Sequence, residues 1–212
     1  MSRTYTWAYI DPQMVRRLDR NLVVWSLLWG NSGRLMQAAF QHVPVGGRVL
    51  QAAYVYGEYT RALARHVGAD GFLDVIDIVP LQVENCRARL RDLAWADARH
   101  ADAADPGEDT YDAVCCYFLL HEMPHDKKRA VVDALLDRVE PGGTAVFVDY
   151  HRPARWHPLR SLMTLVWRRL EPYAEDLLET EIPHLTDRAA DFQWEKTTYF
   201  GGLYQKVVAR RR

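Results

Sequence analysis

The segment Arg48-Val-Leu-Gln-Ala-Ala-Tyr-Val-Tyr-Gly-Glu-Tyr-Thr60 decides the fold class of this chain. Its first six residues, Arg48–Ala53, form a short apolar run after Gly46-Gly47, which predicts a buried strand. Helical spacing follows over Thr60–Val67, and Gly68 stands where a helix C-cap belongs. A buried strand that leads into a helix is typical of the first βα unit of an open α/β sheet.

The same alternation of strands and helices continues along the chain. Further strands are predicted over Phe72–Ile78, Asp97–Ala103, Tyr111–Phe118 and Thr144–Asp149, with helices between them. Apart from Asp112, the run Tyr111–Phe118 is hydrophobic, as expected of a strand that helices cover on both faces. Short links between alternating strands and helices imply parallel pairing with right-handed crossovers.

The carboxyl-terminal part of the chain departs from this alternation. Phe192–Tyr199 and Leu203–Ala209 flank Gly201-Gly202, and this pattern predicts an antiparallel β-hairpin that closes the sheet. We therefore expect a single α/β domain over residues 1–212. Residues 1–44 are predicted to form a helical extension that covers the active site or docks to a membrane, and residues 152–185 to form a helical insertion before the hairpin.

Composition limits the classes of function. The formal net charge is −1, so the overall balance gives no reason to expect a nucleic-acid partner. Cys86, Cys115 and Cys116 are predicted to be buried thiols of a reducing compartment, because two of them are adjacent inside an apolar run. Met1–Ile10 contains no apolar signal-peptide core, and the apolar run Leu22–Trp29 is too short to span a bilayer. We therefore expect a cytoplasmic location.

Ligands of open α/β sheets bind outside the carboxyl ends of the strands, at the topological switch point. The loop after the first predicted strand contains only Gly57 where a phosphate- or ribose-cradling loop usually carries several glycines, so it can equally be a plain strand-to-helix turn. Asp77 either accepts hydrogen bonds from a ribose diol or caps the next helix. Asp102 and Ala103 lie either at an adenine amino group or in a surface turn. The predicted cofactor contacts are Gln51, Ala53, Val55, Tyr56, Gly57, Tyr59, Thr60, Asp77, Ile78, Asp102, Ala103 and Tyr117.

This layout resembles the class I S-adenosylmethionine-dependent methyltransferase fold from about residue 45 onward. The matching pieces are Val49-Leu50, Val75-Ile-Asp77, Asp102-Ala103, Tyr111-Asp-Ala-Val114, Leu119-Leu-His121, Glu140-Pro-Gly-Gly143 and the terminal hairpin. The resemblance implies a Rossmann-like three-layer sandwich with a seven-stranded, mostly parallel sheet, and it implies S-adenosylmethionine (SAM) as the cofactor.

The first loop departs from the usual methyltransferase pattern. Gln51 replaces the acidic residue that helps to hold the α-ammonium group of SAM, and Ala53 and Val55 replace two glycines. A neutral Gln51 does not favour the protonated amine, since a nearby opposite charge is what raises the pKa of an amine. The amine is therefore either held differently and reactive here, or the protein is a degenerate methyltransferase that keeps the ordinary methyl chemistry.

Several longer strings resemble the rhodoquinone biosynthesis protein family. They are Tyr54-Val-Tyr-Gly-Glu-Tyr-Thr60, Phe118-Leu-Leu-His-Glu122, Val148-Asp-Tyr-His-Arg-Pro153, Trp156-His-Pro-Leu-Arg160 and Phe200-Gly-Gly-Leu-Tyr-Gln-Lys-Val-Val208. This resemblance implies conversion of ubiquinone to rhodoquinone, in which an amino group from SAM replaces a ring methoxy group with the help of manganese. Two alternatives stay open: a conventional methyltransferase that acts on a quinone or another small hydrophobic acceptor, and a non-catalytic cofactor-binding protein.

Two neighbouring strand ends carry side chains suited to a divalent metal such as Mn²⁺. These predicted ligands are His121 and Glu122 after the fourth strand, and Asp149 and His151 after the fifth. A bound metal could polarise a quinone carbonyl as a Lewis acid. In the alternative interpretation His121 is a packed histidine beside the cofactor and Asp149 caps a turn. Tyr56 either orients the cofactor or carries protons, or it only packs. The predicted catalytic residues are Asp149, His151, Tyr56 and His121.

A long-tailed quinone substrate implies access from a membrane surface, and two segments suit such contact. Met14–Trp29 and His157–Tyr173 combine an apolar face with flanking arginines, as interfacial helices do. In the alternative interpretation both helices only cover the sheet or the active site. We expect the protein to lie peripherally on the inner face of the membrane.

Overall fold

The computed structural model describes residues 28–171 and 173–212. Residues 14–27 of the predicted helix Met14–Trp29, and residues 1–27 of the predicted extension over residues 1–44, therefore lie outside the described residues, whereas residues 28–30 form a turn. In the described part of the chain, no helix combines the length and the apolar character that crossing a bilayer demands.

Seven strands and six α-helices are described. The strands are β1 (Arg48–Ala52), β2 (Phe72–Asp77), β3 (Ala96–His100), β4 (Tyr111–Tyr117), β5 (Val139–Tyr150), β6 (Phe192–Tyr199) and β7 (Tyr204–Arg211). The helices are α1 (Ser32–Phe40), α2 (Tyr59–Val67), α3 (Pro80–Leu90), α4 (His125–Asp137), α5 (Arg160–Leu170) and α6 (Ala174–Glu179). Short 3₁₀ turns cover Leu120–Glu122, Ile182–Leu185 and Ala189–Asp191.

The strands form one sheet in the order β3-β2-β1-β4-β5-β7-β6. β1 to β5 pair in parallel, whereas β7 is antiparallel to both β5 and β6. The predicted fold class is confirmed: the sheet is mostly parallel and ends in an antiparallel hairpin. The chain reverses its direction of winding between β1 and β4, which is where such sheets bind ligands.

Alternating side chains of the central strands supply two cores, one on each face of the sheet. In β1, Val49 packs with the core under α1, α2 and α3, and Leu50 packs with the core under α4. In β4, Cys115 and Cys116 divide in the same way, and both are buried free thiols as predicted. The two faces are therefore filled by residues that are neighbours in sequence.

Two predicted element boundaries were wrong. The third strand ends at His100 and not at Ala103, because its pairing with β2 stops where β2 ends at Asp77. The predicted turn Glu140-Pro-Gly-Gly143 lies inside β5, where the register against β4 shifts between Tyr111 and Ala113. Gly142 has a φ of 79°, which accommodates this irregularity.

A lysine holds part of the predicted insertion against the body of the domain. Lys128 of α4 is fully buried, and its Nζ donates to the Tyr173 carbonyl at 2.8 Å and to Asp176 Oδ2 at 2.7 Å. A buried ammonium group that lost these partners would be strongly unfavourable, so the contacts fix the start of α6. The segment between α5 and α6 is thereby placed over the carboxyl edge of the sheet.

Candidate active site

A cavity of about 580 Å³ opens at the carboxyl ends of β1, β2 and β4. The predicted cofactor residues that line it are Ala53, Val55, Tyr56, Asp77, Ile78, Asp102, Ala103 and Tyr117. Further apolar lining comes from Leu28, Phe118, Leu119, Met123 and Tyr150. Its volume falls within the range of cavities that hold small-molecule ligands and cofactors.

Four predicted cofactor contacts lie behind the first loop instead of in the cavity lining. Gln51 and Thr60 are buried beside each other, and Tyr59 stacks on Tyr117 with ring centroids 3.9 Å apart. Gly57 has a φ of 84°, a left-handed conformation that favours glycine. Among the described residues, Gln51, Gly57, Tyr59 and Thr60 therefore support the loop from the core side.

Gln51 organises this support. Its Nε2 donates to the Ala53 carbonyl and to Thr60 Oγ1, both at 2.8 Å. Its Oε1 is buried and accepts no hydrogen bond from the described residues. Ala53 has a φ of 66°, which residues with a Cβ rarely adopt, and the Gln51 amide holds its carbonyl in place.

Gln51→Glu is expected to lower the free energy of unfolding by roughly 1–3 kcal/mol, because a carboxylate cannot donate to the Ala53 carbonyl and would be buried. Urea unfolding of the variant and of the wild type measures the difference. Gln51→Met, which removes the same hydrogen bonds without adding charge, serves as the control and should lose less stability. Equal stability of Gln51→Glu and wild type would show that these hydrogen bonds do not hold the loop.

Asp77 lies at the end of β2 and lines the cavity. Its Oδ2 accepts a hydrogen bond from the Tyr54 amide at 2.9 Å, and its Oδ1 accepts one from the Val79 amide at 2.8 Å. Burial raises the pKa of Asp77, while these two hydrogen bonds oppose the rise. Each carboxylate oxygen keeps a second lone pair, so capping the next turn and accepting from a ligand diol are compatible.

Asp102 and Ala103 also line the cavity, in a tight turn after β3. Asp102 Oδ1 accepts from the Ala104 amide at 2.9 Å, and Asp102 pairs with Asp105 in an isolated bridge. The structure thus places both residues in a turn that also lines the cavity.

Tyr56 lines the same cavity, and its hydroxyl accepts a hydrogen bond from Gln82 Nε2 at 2.7 Å. This contact fixes the direction of the Tyr56 side chain.

A buried histidine connects the ends of β4 and β5. His121 Nδ1 lies 2.7 Å from Asp149 Oδ1, and because a carboxylate can only accept, Nδ1 donates. Asp149 is 1% exposed, and its Oδ2 accepts from the Leu120 amide at 2.9 Å. Asp149 therefore positions both the backbone and the ring of the 3₁₀ turn that carries His121.

Glu171, which sequence reasoning did not identify, approaches the same histidine from the predicted insertion. Its Oε2 lies 3.3 Å from His121 Nε2 but accepts no hydrogen bond from the described residues. His121 Nε2 is therefore in ion-pair contact with Glu171, and the His121 side chain also lines the cavity. No local sequence pattern marks Glu171, because tertiary packing alone brings it to the strand ends.

Charge decides the protonation state of His121. Burial lowers its pKa, but the negative charges of Asp149 and Glu171, with the hydrogen bond to Asp149, outweigh burial and raise the pKa to about 10. Burial raises the pKa of Glu171, and the His121 charge opposes this rise. His121 is consequently a cationic hydrogen-bond donor near neutral pH, and a proton donor rather than a base.

This pKa predicts a pH dependence of stability. The folded value of about 10 exceeds the ordinary value, 6.5, so the stabilisation is fully present below pH 6.5 and is lost as pH rises through the folded pKa. Melting temperatures of the wild type and of His121→Asn should therefore differ most at low pH and converge towards pH 10. A constant difference over this pH range would contradict the assignment of a cationic His121.

Aromatic rings form a wall around this histidine. The Tyr150 ring lies 4.7 Å from His121, 5.3 Å from Phe118 and 5.7 Å from Trp167, measured between centroids. Burial raises the pKa of Tyr150 well above its ordinary value, so its phenol stays neutral. The cation of His121 therefore faces a mostly apolar, aromatic space, which suits a flat hydrophobic ligand.

The four predicted metal ligands do not form one cluster, although His121 and Asp149 contact each other. Asp149 is engaged with His121, Glu122 lines the cavity, and His151 Nδ1 donates to the Gly202 carbonyl at 2.8 Å in the β6–β7 turn. Within residues 28–171 and 173–212, no three His, Cys, Asp or Glu side chains are arranged to hold a metal ion. Oxygen and imidazole ligands suit Mn²⁺, but these four residues are not grouped around one position, and no step is assigned to a metal. Burial lowers the pKa of His151, which keeps this ring neutral.

Part of the chain is similar in sequence to a known domain type. Residues 49–143 match the sequence profile of a methyltransferase domain. An uncharacterized methyltransferase of Synechocystis sp. is 25% identical over 210 residues, which is 97% of this chain and 94% of that protein. A carboxy-S-adenosyl-L-methionine synthase of Chromohalobacter salexigens is 30% identical over 126 residues, which is 55% of this chain and 45% of that protein.

Solved structures agree on the fold. An O-methyltransferase family protein from Burkholderia thailandensis superimposes with a TM-score of 0.70 at 14% identity, covering 100% of this chain and 64% of the other. The N-methyltransferase NodS from Bradyrhizobium japonicum, in complex with S-adenosyl-L-homocysteine, gives a TM-score of 0.60 at 13% identity, covering 96% and 94%. The fold is therefore that of the class I methyltransferases, as the sequence resemblance implied.

Proposed function

We propose that this protein binds SAM in the cavity at the carboxyl ends of β1, β2 and β4, and transfers a group from it to a flat, apolar acceptor. The observation that carries the proposal is the juxtaposition of Asp77 and the cationic His121 on the lining of a single cavity. The methyltransferase-domain match over residues 49–143 and the complex of NodS with S-adenosyl-L-homocysteine support the choice of cofactor. SAM, when bound, supplies an electrophilic methyl group and carries an α-amino nitrogen.

The lining residues suit the two ends of such a cofactor. Asp77 can accept from the ribose hydroxyls, while Asp102 and Ala103 lie where the next strand meets the cavity, as adenine contacts require. Tyr56 belongs to the first loop, and its hydroxyl is held by the hydrogen bond from Gln82. The buried Oε1 of Gln51 stands behind this loop as an unused acceptor. Position 51 thus supplies no acidic side chain to the cofactor.

The acceptor is proposed to lie between Phe118, Tyr150 and His121. A cationic donor at His121 Nε2 stabilises negative charge that develops on an acceptor oxygen, because a preorganised donor in an apolar site costs little reorganisation. Asp149 holds the ring in position and keeps it charged. The aromatic wall excludes water from the oxygen that His121 contacts.

Methyl transfer is the first candidate reaction, since the methyltransferase domain and the Synechocystis relative support it. In this reaction the hydroxyl of a phenol or hydroxyquinone acceptor loses its proton to solvent, and His121 would stabilise the resulting oxyanion. The oxyanion then attacks the methyl carbon of SAM as the bond from that carbon to the sulfonium sulfur breaks. S-adenosylhomocysteine is then the expected by-product. Chromatography of incubations with SAM and a short-tailed hydroquinone that carries a free ring hydroxyl tests this candidate.

Amino transfer to ubiquinone is the second candidate, and the neutral Gln51 favours it. A neutral residue at this position does not hold the SAM amine in its protonated, unreactive form. A donor at His121 would polarise the quinone carbonyl, a role that the sequence assigned to a metal, so that the SAM amine adds to the ring and methanol leaves. The quinone ring then accepts two electrons from the Cα–N unit of SAM, and hydrolysis of the resulting imine releases the aminohydroquinone and a 2-oxo acid derived from SAM. The name of the Chromohalobacter relative describes synthesis of a SAM derivative, so this domain type is not restricted to proteins named methyltransferases. Ubiquinone is the proposed acceptor.

A further inference from the structure

The predicted insertion contains an arginine-rich stretch with large, exposed apolar side chains. Over residues 151–170 the sequence contains five arginines and no aspartate or glutamate, although the whole chain has a formal net charge of −1. Trp156 is 77% exposed, Leu165 53% and Leu162 45%. We name Arg155, Trp156, Leu162, Leu165 and Arg169 the arginine–tryptophan surface.

The spacing of α5 separates this surface from the core. Leu162, Leu165 and Arg169 follow one another at intervals of three and four residues, so they share one face of the helix. Met163 and Trp167, four residues apart, are buried on another face. Leu162 and Leu165 are exposed, while the opposite side of the helix packs against the domain. These two leucines are therefore not part of the core of this domain.

Within residues 28–171 and 173–212, the arginines of this surface have no carboxylate partner. Arg168 forms an ion pair with Glu175 at 3.0 Å, but neither Arg155 nor Arg169 has an ion pair with any residue in the described part of the chain. Unpaired guanidinium groups beside exposed leucine and tryptophan side chains are complementary to negative charge that lies next to an apolar layer. That combination of chemistry describes the headgroup region of an anionic bilayer.

We propose that the arginine–tryptophan surface binds to the surface of an anionic lipid bilayer. Trp156, Leu162 and Leu165 enter the boundary between headgroups and acyl chains, and Arg155 and Arg169 bind lipid phosphates. This inference holds whichever group the cavity transfers, since it uses residues that do not line the cavity.

The same helix also connects the surface to the candidate active site. Trp167, on the buried side of α5, packs against Tyr150 of the cavity wall, and Glu171 directly after the helix approaches His121. A membrane that binds the outer face of α5 therefore lies one helix away from the cavity. This arrangement suits an acceptor that is taken from the bilayer.

Co-sedimentation of the full-length protein with vesicles tests the proposal. We expect binding to phosphatidylcholine vesicles that contain phosphatidylglycerol, weaker binding to phosphatidylcholine alone, and a decrease with added salt. Arg155→Glu with Arg169→Glu should weaken binding to the anionic vesicles at least about tenfold. Trp156→Ser with Leu165→Ser should weaken it by a similar factor.

Matched controls lie at the opposite edge of the sheet. Val45 is 73% exposed before β1, and Arg65 and Arg91 are exposed near the ends of helices that return to the amino ends of the strands. Val45→Ser, and Arg65→Glu with Arg91→Glu, should leave vesicle binding at the wild-type level. SAM titration of every variant separates failure of this surface from failure of the proposed function.

Two results would overturn the proposal. One is that the wild-type protein stays in the supernatant when anionic vesicles are pelleted. The surface would then be covered by something else, either a second copy of the protein or another segment of this chain. The other is an equal loss of binding in the control variants. Size-exclusion chromatography with light scattering shows whether a second copy covers the surface. A wild-type dimer that becomes a monomer in the Trp156→Ser, Leu165→Ser double variant would assign the surface to self-association.

Discussion

Asp149→Asn is expected to lower the rate of group transfer about 10²- to 10³-fold while leaving the affinity for SAM unchanged. The substitution removes the negative charge that lies 2.7 Å from His121 Nδ1 and keeps its pKa high. A preorganised charged donor at a reacting oxygen typically contributes a factor of this size. Single-turnover rates and calorimetric SAM titrations measure the two effects separately.

The pH profile distinguishes this role from a purely structural one. In the wild type, His121 stays protonated up to its pKa of about 10, so activity should not fall as pH rises from neutral to mildly alkaline values. In Asp149→Asn the pKa of His121 should drop, and the residual activity should then decrease as pH rises through neutrality. His125→Asn, which breaks the exposed pair between His125 and Asp176 at 3.1 Å, is the control and should keep the wild-type profile. Identical profiles for Asp149→Asn and wild type would contradict the role of Asp149.

Asp77→Ala is expected to weaken SAM binding about 10- to 100-fold, because hydrogen bonds to a charged group contribute roughly 1.5–3 kcal/mol. The change also leaves the amides of Tyr54 and Val79 without their acceptor, which loosens the first loop. Calorimetric titration with SAM measures the affinity of the variant.

Asp74→Asn provides a matched control for Asp77→Ala. Asp74 is a buried carboxylate on the same strand, but it accepts from Arg99 and Tyr111 and does not line the cavity in the described structure. This variant should lose stability and keep its SAM affinity. Equal affinities of Asp77→Ala and wild type would remove Asp77 from the cofactor site.

The sequence predicts most of the sheet because each central strand is an apolar run. β1, β2 and β4 are buried on both faces, and such runs are visible without any knowledge of tertiary contacts. The edge strand β3 contains Asp97, Arg99 and His100, so its end is set by pairing with β2 and not by its own pattern. The irregular start of β5 has the same origin, since a register shift depends on the partner strand.

The candidate site was predictable where position along a strand determines it. Asp77 and Tyr117 line the cavity because they end β2 and β4 at the switch point. The inward direction of Gln51 and Tyr59 was not predictable, since the path of a loop depends on hydrogen bonds such as that from Gln51 to Thr60. The approach of Glu171 to His121 joins residues fifty positions apart and depends on how the insertion packs.

The most direct test of the account is an incubation with doubly labelled SAM, followed by mass spectrometry of the quinone fraction. The SAM carries a heavy carbon isotope in its methyl group and a heavy nitrogen isotope in its amino group. The acceptors are a short-tailed ubiquinone and the corresponding hydroquinone in which one ring methoxy group is replaced by a hydroxyl group. Each acceptor is tested with and without Mn²⁺. We expect the protein to move one label into an acceptor: heavy carbon for methyl transfer, or heavy nitrogen in place of a methoxy group for amino transfer. Recovery of both labels in intact SAM with every acceptor would contradict it.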